Sequence, residues 1–245
     1  MVDDALVSVA LGAFVGLSVV TLGAVVWVTF KVKSARVESA QDLLEAGNDD
    51  QEPSDAIFAA SFNPCHSGHV HILKAIARRH AMGKVFAVVG VNPEKVYAVS
   101  GEERRAVLEQ IIRGDPGLRN VEAVVVEGYI WRKALAADKA RFGAAGAASG
   151  RRCVMYRGIR TWAKDGQAEA LLHVLNLVGP LLFARASPPE TRFLTAPTSG
   201  ALATVSSSEV RKRVKEGGDL RGLVPPNATD AITHLYSRGA PEEAK

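Results

Sequence analysis

Two histidines three residues apart, His66 and His69, are the residues of this chain best suited to chemistry, and a glycine lies between them in Ser-Phe-Asn-Pro-Cys-His-Ser-Gly-His. The segment follows a short apolar run and opens a stretch with helical spacing. Because the start of a helix offers free N–H groups and the positive end of a dipole, anions settle there. Two imidazoles aimed at one spot can hold a phosphate and stabilise charge that develops on it. A loop with two ordinary polar histidines is the alternative, and spacing alone does not decide between them.

Lys95 and the pair Arg157 and Arg160 are also placed to bind phosphate, because each follows an apolar, strand-like run. A guanidinium binds phosphate through two parallel hydrogen bonds, so Arg-Gly-Ile-Arg is a candidate clamp for two phosphates. The plainer alternatives are a solvated lysine and salt bridges from the arginines to nearby acids such as Asp165.

Three consecutive serines, Ser206 to Ser208, begin a helical pattern in the C-terminal part of the chain. Ser206 and Glu209 have the spacing of a capping box, in which the side chains only satisfy backbone groups. Hydroxyls and amides at a helix start equally form a phosphate cradle. The pattern by itself fits both interpretations.

Strand-like and helical patterns alternate along the part of the chain that contains these residues. The predicted strands are 56–60, 85–91, 121–126, 152–156 and 191–195. The predicted helices are 69–82, 102–113, 131–140, 167–184, 207–216 and 228–236. Apolar strands joined by helical crossovers indicate an α/β fold with a doubly wound, five-stranded parallel sheet. Ligands bind beyond the carboxyl ends of such strands, where the histidine turn and the arginine pair are expected to meet.

Residues 5–30 contain no charged side chain. As a helix they would extend about 39 Å at about 1.5 Å per residue, against a hydrocarbon core of about 30 Å. Lys31 and Lys33 follow the segment, so the positive-inside rule puts the rest of the chain on the cytoplasmic, or an equivalent, side. We therefore predict a single-pass transmembrane anchor, with a cleaved signal peptide as the competing interpretation.

The remaining sequence divides into an acidic linker at 31–55, one domain at 56–237 and a short tail at 238–245. The 245 residues, 47% of them hydrophobic, suffice for one sizeable core. The net charge of +4 is mild, which suits phosphorylated substrates without indicating a nucleic-acid partner. Two cysteines provide no metal-binding spacing and fit a reducing compartment.

His66-Ser67-Gly68-His69 matches the HxGH signature of the nucleotidyltransferase superfamily, whose members transfer a nucleotidyl group from ATP or CTP to a phosphate or phosphonate acceptor. From about residue 56 to residue 236, the chain resembles bacterial-type phosphopantetheine adenylyltransferase. The further matching positions are 92–104, 157–160, Glu169, Asn176, 193–194 and 205–225. The serine run and the Ser-Phe-Asn-Pro lead-in also resemble nicotinate mononucleotide adenylyltransferases, but Arg157-Gly158-Ile159-Arg160 favours the phosphopantetheine enzymes.

The resemblance implies a Rossmann-like fold and transfer of AMP from ATP to 4′-phosphopantetheine, giving dephospho-coenzyme A and pyrophosphate. It implies catalytic roles for His69, His66 and Lys95. The implied ATP-binding residues are Ser61, Phe62, His69, Gly158, Ile159, Arg160, Glu169, Ser206, Ser207 and Ser208. The implied acceptor-binding residues are Ser61, Lys95, Ile130 and Arg157. Mg²⁺ is expected with ATP rather than on protein ligands, and the sequence allows a homo-oligomer without specifying one.

Several positions depart from the family pattern. Ala60 stands where glycine is usual, Asn63 where aspartate is usual, and His66 where threonine is usual; the loop at 164–167 is one residue longer. These departures leave two alternatives. One is a nicotinate or nicotinamide mononucleotide adenylyltransferase, or another cytidylyltransferase-like enzyme. The other is a non-catalytic, membrane-tethered nucleotide-binding protein.

Overall fold

The computed structural model describes residues 36–46, 52, 54–93, 95–127, 153–159, 166, 190–196 and 201–238. The strands in these residues are β1 (Arg36–Ser39), β2 (Asp55–Ala60), β3 (Val85–Val91), β4 (Val121–Glu127), β5 (Cys153–Ile159) and β6 (Glu190–Thr195). The helices are α1 (Ala40–Glu45), α2 (Ser67–Arg79), α3 (Gly101–Arg113), α4 (Ser207–Lys215) and α5 (Thr229–Ser237). The strands form one sheet in the order β1-β6-β5-β2-β3-β4, and every neighbouring pair is parallel.

The strand order reverses at β2, the central strand that precedes the histidine turn. From β2 the chain moves outward to β3 and β4, whereas β5 and β6 lie on the other side of β2. The carboxyl ends of β5, β2 and β3 are therefore neighbours at one edge of the sheet. This edge is the switch point at which α/β sheets bind ligands.

β2 and β3 are buried on both faces, as their uninterrupted apolar sequences predict. Alternate residues of β2 enter two different cores. Ala56 and Phe58 pack into the larger core with α2, α3, α4 and α5, and Ile57 and Ala59 pack with Phe86 on the opposite face. The central strands are thus held from both sides, which fixes the positions of the turns that follow them.

The predicted parallel α/β architecture is confirmed, but the strand count of five is wrong because β1 adds a sixth strand beside β6. β1 and α1 lie at 36–45, inside the predicted acidic linker, whose pattern allows a short helix at 35–46 but indicates no strand. The sequence Arg-Val-Glu-Ser contains a single apolar residue, so it shows no strand-like apolar run. Its place in the sheet depends on backbone pairing with a strand about 150 residues away.

Acidic side chains fasten this N-terminal segment to the domain. Arg79, at the end of α2, pairs with Glu38 of β1 and with Glu52, each at 2.8 Å. Glu52 also pairs with buried Arg192 of β6 at 2.6 Å. Burial acts to raise the pKa of Glu52, but the hydrogen bonds and charges of Arg192 and Arg79 lower it to about 2. Glu38 and Glu52 therefore have a structural role, in ion pairs with Arg79 and Arg192.

In the described part of the chain, no helix is long and apolar enough to cross a membrane. The predicted anchor at 5–30 and the predicted helices at 131–140 and 167–184 lie outside the described residues. The transmembrane segment and the domain limits accordingly remain predictions.

Candidate active site

The histidine turn connects β2 to α2, and His66 is the N-cap of that helix. Its ring Nδ1 accepts a hydrogen bond from the Gly68 N–H at 3.2 Å, and His69 Nδ1 accepts from the His66 N–H at 3.4 Å. The two rings are 3.8 Å apart between centroids. Since each Nδ1 is an acceptor, each neutral ring carries its proton on Nε2. The turn therefore holds two imidazole N–H donors side by side.

Burial lowers the pKa of His66 to about 4. Burial, together with the charge of His66, lowers the pKa of His69 well below its ordinary value. Both rings are thus neutral at pH 7 in the free protein. They act as hydrogen-bond donors to an anion rather than as standing positive charges.

Gly68 lies against the ring of His66. A Cβ atom at this position would lie 3.1 Å from both Cε1 and Nδ1 of that ring. Any side chain would therefore push the imidazole away from its hydrogen bond with the Gly68 N–H. The glycine is needed here for close approach, as the sequence pattern suggests.

The first N–H groups of α2 are not free, so the expectation of open backbone donors at this helix start is wrong. The Ser67 N–H donates to the Leu223 carbonyl at 2.8 Å, the Gly68 N–H to His66 Nδ1, and the His69 N–H to the His66 carbonyl. The loop before α5 and the histidine side chain satisfy these groups. The donors left for a ligand at this turn are the imidazoles.

Phe62, two residues after β2, packs against His69. Its φ angle is +44°, which turns the chain sharply, and its ring is fully buried. The ring centroid lies 5.0 Å from that of His69 and 5.7 Å from that of Phe58. Because the side chain is in the core, any contact of Phe62 with ATP would be made by its backbone. Ser61, the other predicted residue here, precedes this turn.

The C-terminal helices hold the same turn through its polar groups. Ser207 Oγ of α4 donates to the Pro64 carbonyl at 2.9 Å, and Arg211 donates to the Asn63 carbonyl. The Tyr236 hydroxyl of α5 donates to Asn63 Oδ1 at 2.8 Å. The structure thus brings the serine run to the histidine turn, as expected.

Within the serine run, each hydroxyl already has a protein contact. Ser206 Oγ accepts from the Glu209 N–H at 3.2 Å and caps α4, while Ser208 Oγ accepts from Arg211 at 3.3 Å. The capping interpretation of Ser206 is therefore confirmed. Sequence reasoning missed Arg211 as a contact of the turn, although its position four residues after Ser207 puts both on one helix face.

At the end of β5, Arg157 Nη1 donates to the Ala59 carbonyl of β2 at 2.8 Å. A Cβ on Gly158 would lie 3.1 Å from Ile72 Cδ1 and 3.4 Å from the Phe58 ring, so this glycine permits β5 to approach α2. Ile159 is buried, which leaves its backbone as the part that could meet ATP. Arg160, Glu169 and Ile130 lie outside the described residues.

Lys95 is exposed in the turn after β3, where its N–H donates to the Asn92 carbonyl at 3.0 Å. Because β3 is the neighbour of β2, this loop lies at the same edge of the sheet as the histidine turn. Among the described residues, no group of three or more His, Cys, Asp or Glu side chains could hold a metal ion. The candidate side chains at this edge, His66, His69 and Lys95, are hydrogen-bond donors, which suits phosphate groups.

The model of the cytidylyltransferase-like family matches residues 57–213, from β2 to α4. The chain is 28% identical over 185 residues to phosphopantetheine adenylyltransferase of Mesorhizobium japonicum, covering 75% of this chain and 97% of that protein. It is 30% identical over 183 residues to the Rubrobacter xylanophilus enzyme of the same name, covering 75% and 95%. The chain belongs to the cytidylyltransferase-like family, among the phosphopantetheine adenylyltransferases. It is accordingly a nucleotidyltransferase.

The fold of this chain is also similar to that of solved structures. Plasmodium falciparum nicotinic acid mononucleotide adenylyltransferase, complexed with NaAD, matches with a TM-score of 0.51 at 15% identity. The match covers 76% of this chain and 98% of that one. At this identity the likeness supports the Rossmann-like fold. β1, α1 and α5 lie outside the matched family region, and α5 nevertheless contributes Tyr236 to the turn.

Proposed function

We propose that this chain transfers AMP from ATP to 4′-phosphopantetheine, giving dephospho-coenzyme A and pyrophosphate. The observation that carries the proposal is the pair of imidazole N–H donors, on His66 and His69, at the carboxyl end of the central strand. Donors preorganised in a partly buried turn stabilise charge that develops on a phosphate during transfer. The names of the relatives, together with Arg157 at the end of β5, support this acceptor.

The acceptor phosphate attacks the α-phosphorus of ATP in line, and the bond to the bridging oxygen of pyrophosphate breaks. The attacking group is already an anion, so no side chain has to remove a proton and no protein nucleophile is required. His69 donates to the α-phosphate as its charge develops, and His66 donates beside it. Lys95 and Arg157 hold the acceptor side, and Arg160 and Glu169 hold ATP. Mg²⁺ enters as part of the substrate MgATP, on the phosphates.

Pyrophosphate release by the purified full chain tests this function. ATP and CTP are each combined with 4′-phosphopantetheine, nicotinate mononucleotide and nicotinamide mononucleotide, and only the pair of ATP with 4′-phosphopantetheine is expected to react. Release with a mononucleotide alone would contradict the acceptor. ATP binding without release from any pair would identify a non-catalytic binding protein.

His69→Ala tests the central residue. The loss of one preorganised donor lowers kcat by about 10²-fold or more, and retention of near-normal turnover would refute the assignment. His71→Ala is the matched control, because His71 lies on the same helix and outside the proposed site. Circular dichroism and thermal unfolding would show whether both variants remain folded.

We further propose that residues 5–30 span a membrane, with the catalytic domain on the cytoplasmic or an equivalent side. The length of the uncharged segment and the lysines after it support this topology. Alkaline carbonate extraction of membranes from expressing cells should leave the full chain in the pellet and release a chain lacking residues 1–35. Release of the full chain would refute the span.

A further inference from the structure

We infer that Arg104 is a positioning residue that ties the loop carrying Lys95 to the turn carrying Ser61, and thereby sets the acceptor half of the site. The inference rests on the proposed function, in which Lys95 holds the acceptor. Ser61 is implied at both substrates, so the loss of Arg104 should affect the acceptor more than ATP. Arg104 lies in the first turn of α3, and its side chain is 1% exposed. A surface position would be usual for an arginine in a helix of this amphipathic type.

The guanidinium of Arg104 joins three segments. Nη1 donates to the Ser61 carbonyl, beyond the end of β2, and to the Gly90 carbonyl of β3 at 3.2 Å. Nε donates to the Ser100 carbonyl, at the N-cap of α3, at 3.3 Å. One side chain therefore connects the carboxyl ends of β2 and β3 to the start of α3, the helix that follows the Lys95 loop.

Tyr97 connects the same guanidinium to the loop itself. The Cζ atom of Arg104 lies 4.2 Å from the centroid of the Tyr97 ring, a distance at which cation–π attraction is effective. Tyr97 is two residues from Lys95, in the segment 92–100 that leads from β3 to α3. The position of the Lys95 backbone thus depends on a ring that rests on Arg104.

The environment of Arg104 also differs from that of its neighbour on the helix. Arg105 makes surface ion pairs with Glu102, at 2.7 Å, and with Glu109. Within the described ranges, Arg104 pairs with no carboxylate, and its Nη2 is buried without a hydrogen-bond partner. A buried cation compensated by carbonyl dipoles and an aromatic ring, rather than by a carboxylate, raises the electrostatic potential at this edge, which attracts an anionic substrate. A residue required only for packing would not need this charge.

Three variants of the full chain test the inference, with Arg105→Met as the matched control. Arg104→Met removes the positive charge and the hydrogen bonds of the guanidinium. Arg104→Lys keeps the charge but cannot reach all three carbonyls at once. Tyr97→Leu removes only the aromatic ring that contacts Arg104. Hydrogen exchange without substrate is followed by mass spectrometry in segments 61–66 and 92–99. Initial rates are measured with ATP and 4′-phosphopantetheine varied in turn.

Arg104→Met should raise exchange in both segments by about fivefold or more, with the distant strands unchanged. It should raise the KM for 4′-phosphopantetheine by about tenfold or more, and the KM for ATP by less than about threefold. Arg104→Lys should have exchange rates and a KM for 4′-phosphopantetheine between those of Arg104→Met and the wild type. Tyr97→Leu should raise exchange in 92–99 alone, and Arg105→Met should match the wild type.

Unchanged exchange in 92–99 of Arg104→Met would overturn the inference, and so would an equal rise across the whole domain, which would indicate a purely structural residue. An equal rise of both KM values would also overturn it. The exchange measurement needs no substrate, so it decides the role of Arg104 even if the wild type releases no pyrophosphate. The absence of pyrophosphate release would refute the proposed function and not the role of Arg104.

Discussion

The buried position of His66 predicts a loss of stability in mild acid. The ordinary histidine pKa is 6.5, and burial lowers that of His66 to about 4 in the folded protein. Because the folded pKa is lowered, folding favours the neutral ring, and this contribution is complete above about pH 6.5. It is lost as the pH falls from 6.5 toward 4, where the unfolded chain binds a proton that the folded chain does not.

The size of the effect follows from the two pKa values. Between pH 7 and pH 5, the free energy of unfolding should fall by about 2 kcal/mol through His66 alone. By pH 4 the loss should be about 3 kcal/mol. His66→Asn removes the titrating ring and keeps a side chain that caps helices well, so the variant should lose correspondingly less stability in acid.

Urea unfolding of wild type and His66→Asn at pH 7, 6 and 5, without substrate, measures this difference. Ser206→Asn is the control, since it changes the N-cap of another helix without removing a titrating group. It should keep the wild-type dependence on pH. If the wild type and His66→Asn lose the same free energy between pH 7 and pH 5, His66 is not buried as a neutral ring and the reasoning about its Nε2–H donor fails.

Two further substitutions separate the site from the scaffold. Gly68→Ala must displace the His66 ring by about 0.3 Å and should lower kcat/KM about fivefold without loss of thermal stability. Gly218→Ala is the control, because its Cβ would have ordinary contacts, and it should change neither kcat/KM nor thermal stability. Full activity of Gly68→Ala would contradict the geometry of the turn. Glu52→Gln removes a carboxylate that pairs with both buried Arg192 and Arg79, and it should lower the free energy of unfolding by about 3 kcal/mol in urea titrations. Lys84→Met breaks a surface ion pair instead and should cost less than about 1 kcal/mol; equal effects of the two would show that Glu52 is not structural.

The central strands and the histidine turn were predictable because their signals are local. β3 is an uninterrupted apolar run, and His66 and His69 are close enough in sequence for their spacing to indicate a shared function. β1 could not be found in this way. Its Glu38 pairs with Arg79, 41 residues away, and neither residue type marks a strand.

The residues that hold the turn were missed for a related reason. Arg104 and Tyr236 act on backbone carbonyls and on one amide oxygen, and carbonyl acceptors are present in every segment of a chain. No spacing rule links them to Ser61 or Asn63. Their roles appear only when burial and hydrogen-bond partners are known.

The register of β1 determines how far from a membrane the proposed site could lie. Through β6 and β5, Arg36 of β1 is level with Phe58, two residues before the end of β2. Only five residues separate Arg36 from the predicted span at 5–30, a reach of no more than about 20 Å. The histidine turn begins about 10 Å further along the strand direction and three strand spacings, about 15 Å, to the side. A tether of this length would keep the start of the turn within about 40 Å of the bilayer. The anchored enzyme would then release its product into the layer of solution next to the membrane.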